Sequence, residues 1–101
     1  RLIKESELFR MFSLGTNFPN PFNGRTIIPF ELEETAQISL TVYDVSGRVV
    51  NELVTGEKPA GMYHIEWDGK NILGMNVSSG MYLYSLQSGE QKIFNKLLYL
   101  K

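Results

Sequence analysis

The sequence predicts an all-β fold of about seven antiparallel strands, arranged as a sandwich or a barrel. Short segments alternate between apolar and polar residues, which is the period of a strand with one face toward a core. Turn-forming residues recur at intervals of about ten positions, as in small all-β domains. An α/β fold would need helical segments between the strands, and no such segment separates them.

Length and charge limit the classes of protein to which the chain can belong. Its 101 residues suit one domain with one modest core. Ten Lys and Arg residues stand against eleven Asp and Glu residues, so the chain lacks the basic character of nucleic-acid-binding proteins. No apolar run approaches the length of a membrane span. We therefore expect no nucleic-acid partner and no membrane insertion.

The first eleven residues differ from the rest. Charged and apolar side chains are mixed in residues 1–11, and we expect a linker or the tail of a preceding segment there. The segment has neither a signal-peptide pattern nor an initiator Met, so we expect a part of a longer protein. The domain itself is predicted to span residues 12–101.

Proline shapes the next part of the chain. A short apolar alternation at residues 12–14 is followed by residues 17–24, which hold two prolines within three positions. Neither a helix nor a central strand tolerates this spacing. We therefore predict an extended edge segment whose side chains Phe18 and Phe22 pack against the core.

Two strands follow. Residues 26–32 place alternate apolar side chains on one face, but Pro29 has no N–H to donate. This strand should therefore lie at a sheet edge or place Pro29 off the hydrogen-bond ladder. Residues 37–44 alternate most regularly, with the even-numbered side chains facing inward.

A hairpin is predicted next. Residues 45–48 form a tight-turn sequence in which Gly47 can supply a positive φ. Residues 48–54 return as a strand, residues 55–61 have the composition of a loop, and residues 62–68 alternate again.

The last third continues the pattern. Trp67 is predicted to fill the core between the sheets, and residues 68–76 form a loop rich in turn-forming side chains. Residues 79–86 and 91–100 are the last two strands, joined by a turn at residues 88–90.

The residues do not assemble a catalytic site. The single histidine, His64, is placed on an outer face, and a catalytic base needs a nucleophile or an orienting partner. The sequence has no Gly-x-Ser-x-Gly elbow, and its carboxylates are scattered. We therefore expect no enzyme, no catalytic residue and no cofactor.

Metal and sugar sites are also disfavoured. Residues 68–76 contain one Asp, and Ile72 and Leu73 stand where a calcium loop would need oxygen ligands. We expect a structural turn and no metal. Among the aromatic side chains only Tyr43 is clearly predicted to face outward, and one ring is a poor platform for a sugar.

Five motifs in a fixed order resemble those of C-terminal modules found on many bacterial secreted proteins. They lie at residues 17–23, 42–50, 60–69, 79–84 and 96–101. The chain is similar both to type IX secretion C-terminal sorting domains and to the Ig-like domain of flagellar hook-capping proteins, from residue 12 to residue 101.

This resemblance implies a seven-stranded antiparallel Ig-like β-sandwich without catalytic activity. It implies that a secretion-machinery protein recognises the domain and carries the upstream cargo domain of the same chain through the periplasm to the cell surface or the medium. The terminal position of residues 96–101 agrees with such a signal. The positions implied to carry recognition are Pro19, Asn20, Pro21, Gly80, Tyr82 and Lys96.

Two other interpretations stay open. The domain could be an accessory adhesion or carbohydrate-binding module of a larger secreted enzyme. It could also be the Ig-like domain of a flagellar hook-capping protein.

Overall fold

The computed structural model describes residues 12–101 as seven strands in two antiparallel sheets, which confirms the predicted sandwich. The predicted linker, residues 1–11, lies outside the described residues. The strands are β1 (Phe12–Leu14), β2 (Thr26–Leu32), β3 (Ala36–Asp44), β4 (Val49–Lys58), β5 (Gly61–Trp67), β6 (Gly80–Ser88) and β7 (Gln91–Tyr99). One sheet has the order β1-β2-β5, and the other has the order β4-β3-β6-β7.

The sandwich differs from a constant-type Ig domain in the sheet to which β4 belongs. In constant-type Ig domains the fourth strand belongs to the same sheet as the first, second and fifth. Here β4 pairs with β3 from Ala36 opposite Lys58 to Tyr43 opposite Val49. The division is therefore three strands and four, and β5 forms one edge of the smaller sheet.

The core lies between the inner faces of the two sheets. Alternate residues of β2, β3 and β6 are almost fully buried, as the period of two predicts. Trp67 is also buried, at the end of β5. The alternating core residues of the three strands are Ile28, Phe30, Leu32, Ile38, Leu40, Val42, Tyr82, Tyr84 and Leu86.

Pro29 lies in the central strand of the three-stranded sheet, not at an edge. Its carbonyl accepts a hydrogen bond of 2.8 Å from the backbone N–H of Gly15. An antiparallel pair of this kind normally exchanges two bonds, and proline cannot donate the second one. The carbonyl of Gly15 instead accepts bonds from the Tyr84 hydroxyl and the Asn95 side chain, in the other sheet. Pro29 therefore stays within the ladder, in register with His64, and neither predicted placement is found, because only the bond that a backbone N–H would donate is missing.

Phe18 does not pack into the core as predicted, because 51% of its surface is exposed. Its backbone pairs with Ile27 through two hydrogen bonds. Paired residues place their side chains on the same face of a sheet, and Ile27 faces away from the core because its neighbour Ile28 faces inward. Phe22 is buried, as expected.

The prediction of a loop at residues 55–61 is also wrong. β4 continues to Lys58, so only Pro59 and Ala60 separate it from β5. Continuous pairing with β3 overrides the loop-like composition, and Gly56 adopts a φ of +120° within the strand.

Candidate functional site

Five of the six residues implied to carry recognition surround the end of β7. Asn20 and its neighbours Pro19 and Pro21 lie along the outer edge of the strand. Gly80 and Tyr82 lie on its other side, where β6 pairs with β7. We call this arrangement, residues 19–22 and 80–82 around residues 97–99, the terminal-strand seat.

The outer half of the seat is built by hydrogen bonds to β7. The side-chain oxygen of Asn20 accepts a bond of 3.0 Å from the backbone N–H of Leu98. The N–H of Phe22 donates to the carbonyl of Leu98, and the N–H of Leu100 donates to the carbonyl of Phe22. Phe22 thereby forms a parallel bridge with Tyr99 and satisfies backbone groups that an edge strand would leave open.

Pro19 fixes the same segment to the three-stranded sheet. Its carbonyl accepts bonds from the Thr26 hydroxyl at 2.9 Å and from the Asn17 side chain at 3.3 Å. The peptide bonds before Pro19 and Pro21 are both cis, and both rings are exposed. The segment therefore joins the two sheets through its backbone and leaves its proline rings at the surface.

A groove opens beside this segment. It has a volume of about 460 Å³ and lies between the two prolines and the end of the described chain. The groove is lined by Pro19, Pro21, Phe22, Asn23, Leu100 and Lys101.

The inner half of the seat belongs to β6. Gly80 pairs with Tyr99, and Tyr82 pairs with Leu97. The Tyr82 ring is buried, and its hydroxyl donates a bond of 2.6 Å to the carbonyl of Ser78. Burial raises the pKa of the Tyr82 phenol, and the charge of Asp44 adds to the effect. Tyr82 therefore supports the seat from inside and offers little surface to a partner.

An aromatic cluster underlies the seat. Phe22 stacks on Tyr99 with ring centroids 4.9 Å apart, and Trp67 lies within about 6 Å of Phe22, Tyr82 and Tyr99. Gly69 covers the Tyr99 ring so closely that a Cβ there would lie 2.7 Å from the ring. Sequence reasoning missed this role, although the Asp-Gly pair after Trp67 was the available signal.

Lys96 stands apart from the other five residues. It pairs with Leu83 across β6 and β7, and its exposed side chain lies on the outer face of the four-stranded sheet. It is accessible to a partner on that face, although the structure does not bring it to the prolines.

Tyr43 lies on this outer face, as predicted, but it is only half-exposed. Its ring lies 5.9 Å from that of Phe94 at an angle of 49°, and the Lys92 amine lies 5.1 Å from both ring centroids. Burial alone would raise the pKa of Tyr43, but the Ser85 hydrogen bond and the Lys92 charge lower it overall. Two tilted rings beneath a cation do not form the flat platform that a sugar face would need.

The loop between β5 and β6 uses its polar groups internally. The side-chain oxygen of Asn71 accepts bonds from the N–H groups of Leu73 and Met75. The indole of Trp67 donates to the carbonyl of Lys70 at 2.9 Å. Within residues 12–101 no group of three His, Asp or Glu side chains is placed to hold a metal ion.

The chain is similar in sequence to known proteins. The sequence model of the FlgD Ig-like domain matches residues 15–92, which is most of the chain. The chain belongs to the FlgD Ig-like domain family. The basal-body rod modification proteins FlgD of Salmonella typhimurium and Salmonella typhi are each 42% identical to it over 53 residues. That stretch is 52% of this chain but only 23% of each relative, so the chain spans less than a quarter of the curated FlgD proteins it matches.

Solved structures share the fold of this FlgD-type domain. Latent PorU from Porphyromonas gingivalis matches with a TM-score of 0.69 and 20% identity, over 88% of this chain and 9% of PorU. PorZ from the same organism matches with a TM-score of 0.59 and 18% identity, over 96% of this chain and 12% of PorZ. FlgD from P. aeruginosa matches with a TM-score of 0.57 and 27% identity, over 73% of this chain and 57% of that one.

The domain is thus similar to parts of longer proteins, from 9% of PorU to 57% of FlgD from P. aeruginosa. The part of the chain that the structure describes contains no helix of the length and apolar character needed to cross a membrane.

Proposed function

We propose that residues 12–101 form a C-terminal sorting module that directs its parent protein through the type IX secretion system to the cell surface or the medium. The module acts by binding a secretion-machinery protein while the upstream cargo domain of the same chain is carried with it. Support comes from the fold shared with PorU and with PorZ, which is described as an essential bacterial surface component of that system.

One observation favours this proposal over the flagellar alternative. The FlgD family model ends at residue 92, so it leaves out the part of β7 that the seat holds. The structural matches to PorZ and PorU extend over 96% and 88% of the chain. The seat and its strand are therefore the features to which we assign recognition, with Pro19, Asn20, Pro21 and Lys96 at the surface and Gly80 and Tyr82 as their support.

The experiment fuses residues 12–101 to a reporter in a host with a type IX secretion system and measures the reporter at the cell surface. We expect export of the fusion and retention of the reporter alone. Lys96→Ala should reduce export without changing the melting temperature, because the Lys96 side chain is exposed. Lys92→Ala, four positions earlier on the same face, is the matched control. Retention of the intact fusion would refute the proposal, and equal export of both lysine variants would remove Lys96 from the signal.

A role in flagellar hook assembly is the second candidate, and the family match and the 42% identity to FlgD favour it. A chimera in which this domain replaces the Ig-like domain of FlgD tests it in a strain that lacks FlgD. Restored motility, together with failure of reporter export, would favour the flagellar function.

A further inference from the structure

We propose that copies of this domain associate side by side, with the loop at residues 71–76 of one copy seated in the Pro19–Pro21 groove of the next. This association goes beyond export and does not depend on the route by which the parent protein reaches the surface. It assigns a function to the exposed apolar loop, which the sorting proposal leaves unused, and a further occupant to the groove beside Pro19 and Pro21, two residues that the sorting proposal assigns to recognition.

The first feature is a protruding apolar loop. Ile72, Leu73 and Met75 expose 72%, 76% and 56% of their surfaces. A single exposed apolar side chain is ordinary, but three within four positions form a patch of the kind found at interaction sites.

The loop keeps one shape through its own hydrogen bonds. The Asn71 side chain accepts two of them, and its backbone pairs with Met75 and Gly74. The N–H of Ile72 also donates to the carbonyl of Val50 on β4. Because the backbone is already held, seating the loop against a partner costs little conformational entropy.

The second feature is the groove beside the terminal-strand seat. Four of its six lining residues are apolar, namely Pro19, Pro21, Phe22 and Leu100. It is an open depression with a volume of about 460 Å³. The groove therefore has room for the aliphatic side chains at the tip of the loop.

The two features lie on opposite edges of one sheet. The loop bonds to β4, the groove lies against the end of β7, and the strand order is β4-β3-β6-β7. A row of paired residues crosses this sheet from Val49 to Lys96, so both features are at the same end of the strands. Moving a copy sideways along the sheet brings its loop to the groove of its neighbour, which is a heterologous contact that can repeat.

Charge favours another protein surface over a lipid surface. Near the loop, Lys70 lies 3.8 Å from Asp68, and Arg48 lies 3.1 Å from Asp44. Attraction to anionic lipids needs unpaired basic residues, whereas the apolar tip of the loop fits the apolar part of the groove, formed by Pro19, Pro21 and Leu100. The contact is small compared with a standard interface of about 1,600 Å², so association of the free domain should be weak.

The absence of cysteine from the sequence gives a direct test. Leu73→Cys and Asn23→Cys are made as separate variants, one of them carrying a tag that changes its mass, and are mixed under mild oxidation. We expect a mixed disulfide dimer to form severalfold faster than in a control mixture of Leu73→Cys with Ser13→Cys. All three positions are exposed, so each variant should keep the melting temperature of the parent.

The outcomes separate the possible occupants of the groove. A rate equal to that of the control mixture would overturn the proposal. Faster self-linking of Leu73→Cys would also overturn it, since the loop would then meet another loop. Co-sedimentation with phosphatidylglycerol vesicles that Leu73→Asp abolishes, without any self-association, would assign the loop to a membrane surface instead. Loss of concentration-dependent sedimentation in Leu73→Asp alone would support the side-by-side contact.

Discussion

Asn20 and Leu98, 78 positions apart, are joined by a hydrogen bond of 3.0 Å from the backbone N–H of Leu98 to the side-chain oxygen of Asn20. Leu98 lies on β7 at the edge of the four-stranded sheet, where no complete strand follows. This single bond and the Phe22 bridge beside it hold the outer half of the terminal-strand seat.

Asn20→Ala should loosen the seat without unfolding the domain. Loss of one hydrogen bond costs about 1 kcal/mol, which corresponds to a fall of about 4–8 °C in melting temperature for a domain of this size. Calorimetry measures the fall, and hydrogen exchange of the Leu98 amide should accelerate more than that of Leu86 in the core. Asn23→Ala, in the same segment, is the control. Equal effects of the two variants would show that the Asn20 bond contributes nothing.

Gly69→Ala should destabilise the domain more than Gly74→Ala. Both glycines have φ near +80°, so alanine is strained at either position. Only Gly69 faces a ring, because a Cβ there would meet Tyr99 at 2.7 Å while nothing lies within 4 Å at Gly74. We expect an additional loss of about 1–3 kcal/mol from overpacking, measured by urea unfolding. Similar losses for the two variants would contradict the contact with Tyr99.

Tyr84→Phe should cost more than Tyr63→Phe. The buried Tyr84 hydroxyl donates to the carbonyl of Gly15 at 2.7 Å and accepts from the N–H of Asn17 at 2.9 Å. Its removal leaves the buried Asn17 N–H without that acceptor, at a cost of about 1–3 kcal/mol. The Tyr63 hydroxyl makes one exposed bond, to Pro59. The comparison is made by urea unfolding, and a smaller loss for Tyr84→Phe would argue against the bridge between the sheets.

Asp44→Asn should remove a contribution to folding stability that depends on pH. The Ser46 hydroxyl and then the Arg48 N–H bind the ionised carboxylate, which lowers the pKa of Asp44 from 3.8 to about 2. A group with a lowered pKa in the folded state stabilises the fold above its unfolded pKa, and the effect is lost as the pH falls through the folded pKa. The difference between the parent and Asp44→Asn should therefore be constant from neutral pH to about 4 and then decline toward pH 2.

Chemical denaturation across this pH range measures the difference, and a carboxyl-carbon NMR titration gives the pKa of Asp44 directly. Ser46→Ala should raise that pKa, whereas Ser13→Ala, at a distant exposed position, should leave it unchanged. A difference that grows as the pH falls below 4 would contradict the assigned hydrogen bonds.

The sequence was sufficient to predict the features that depend on neighbouring residues. The period of two identified the inward faces of β2, β3 and β6, and the Gly47 turn was placed correctly with a φ of +89°. These features follow from local alternation and local backbone freedom, which a single segment contains.

Features that depend on distant pairing could not be predicted in this way. The central position of β2 around Pro29 depends on Gly15 being its partner, and the extension of β4 to Lys58 depends on β3. Motif resemblance named most of the residues of the seat. Their meeting around Leu98 depends on contacts between segments far apart in the sequence, which no local pattern specifies.

The positions of Gly15 and Asn20 in the sequence have a consequence for a chain that emerges from a channel with its N-terminal end first. Their polar partners, Asn95 and Leu98, arrive 80 and 78 residues later. Until then these two bonds cannot offset the loop-closure entropy of joining segments so far apart in sequence. A chain that passes through a narrow channel would therefore complete the terminal-strand seat only after β7 has emerged.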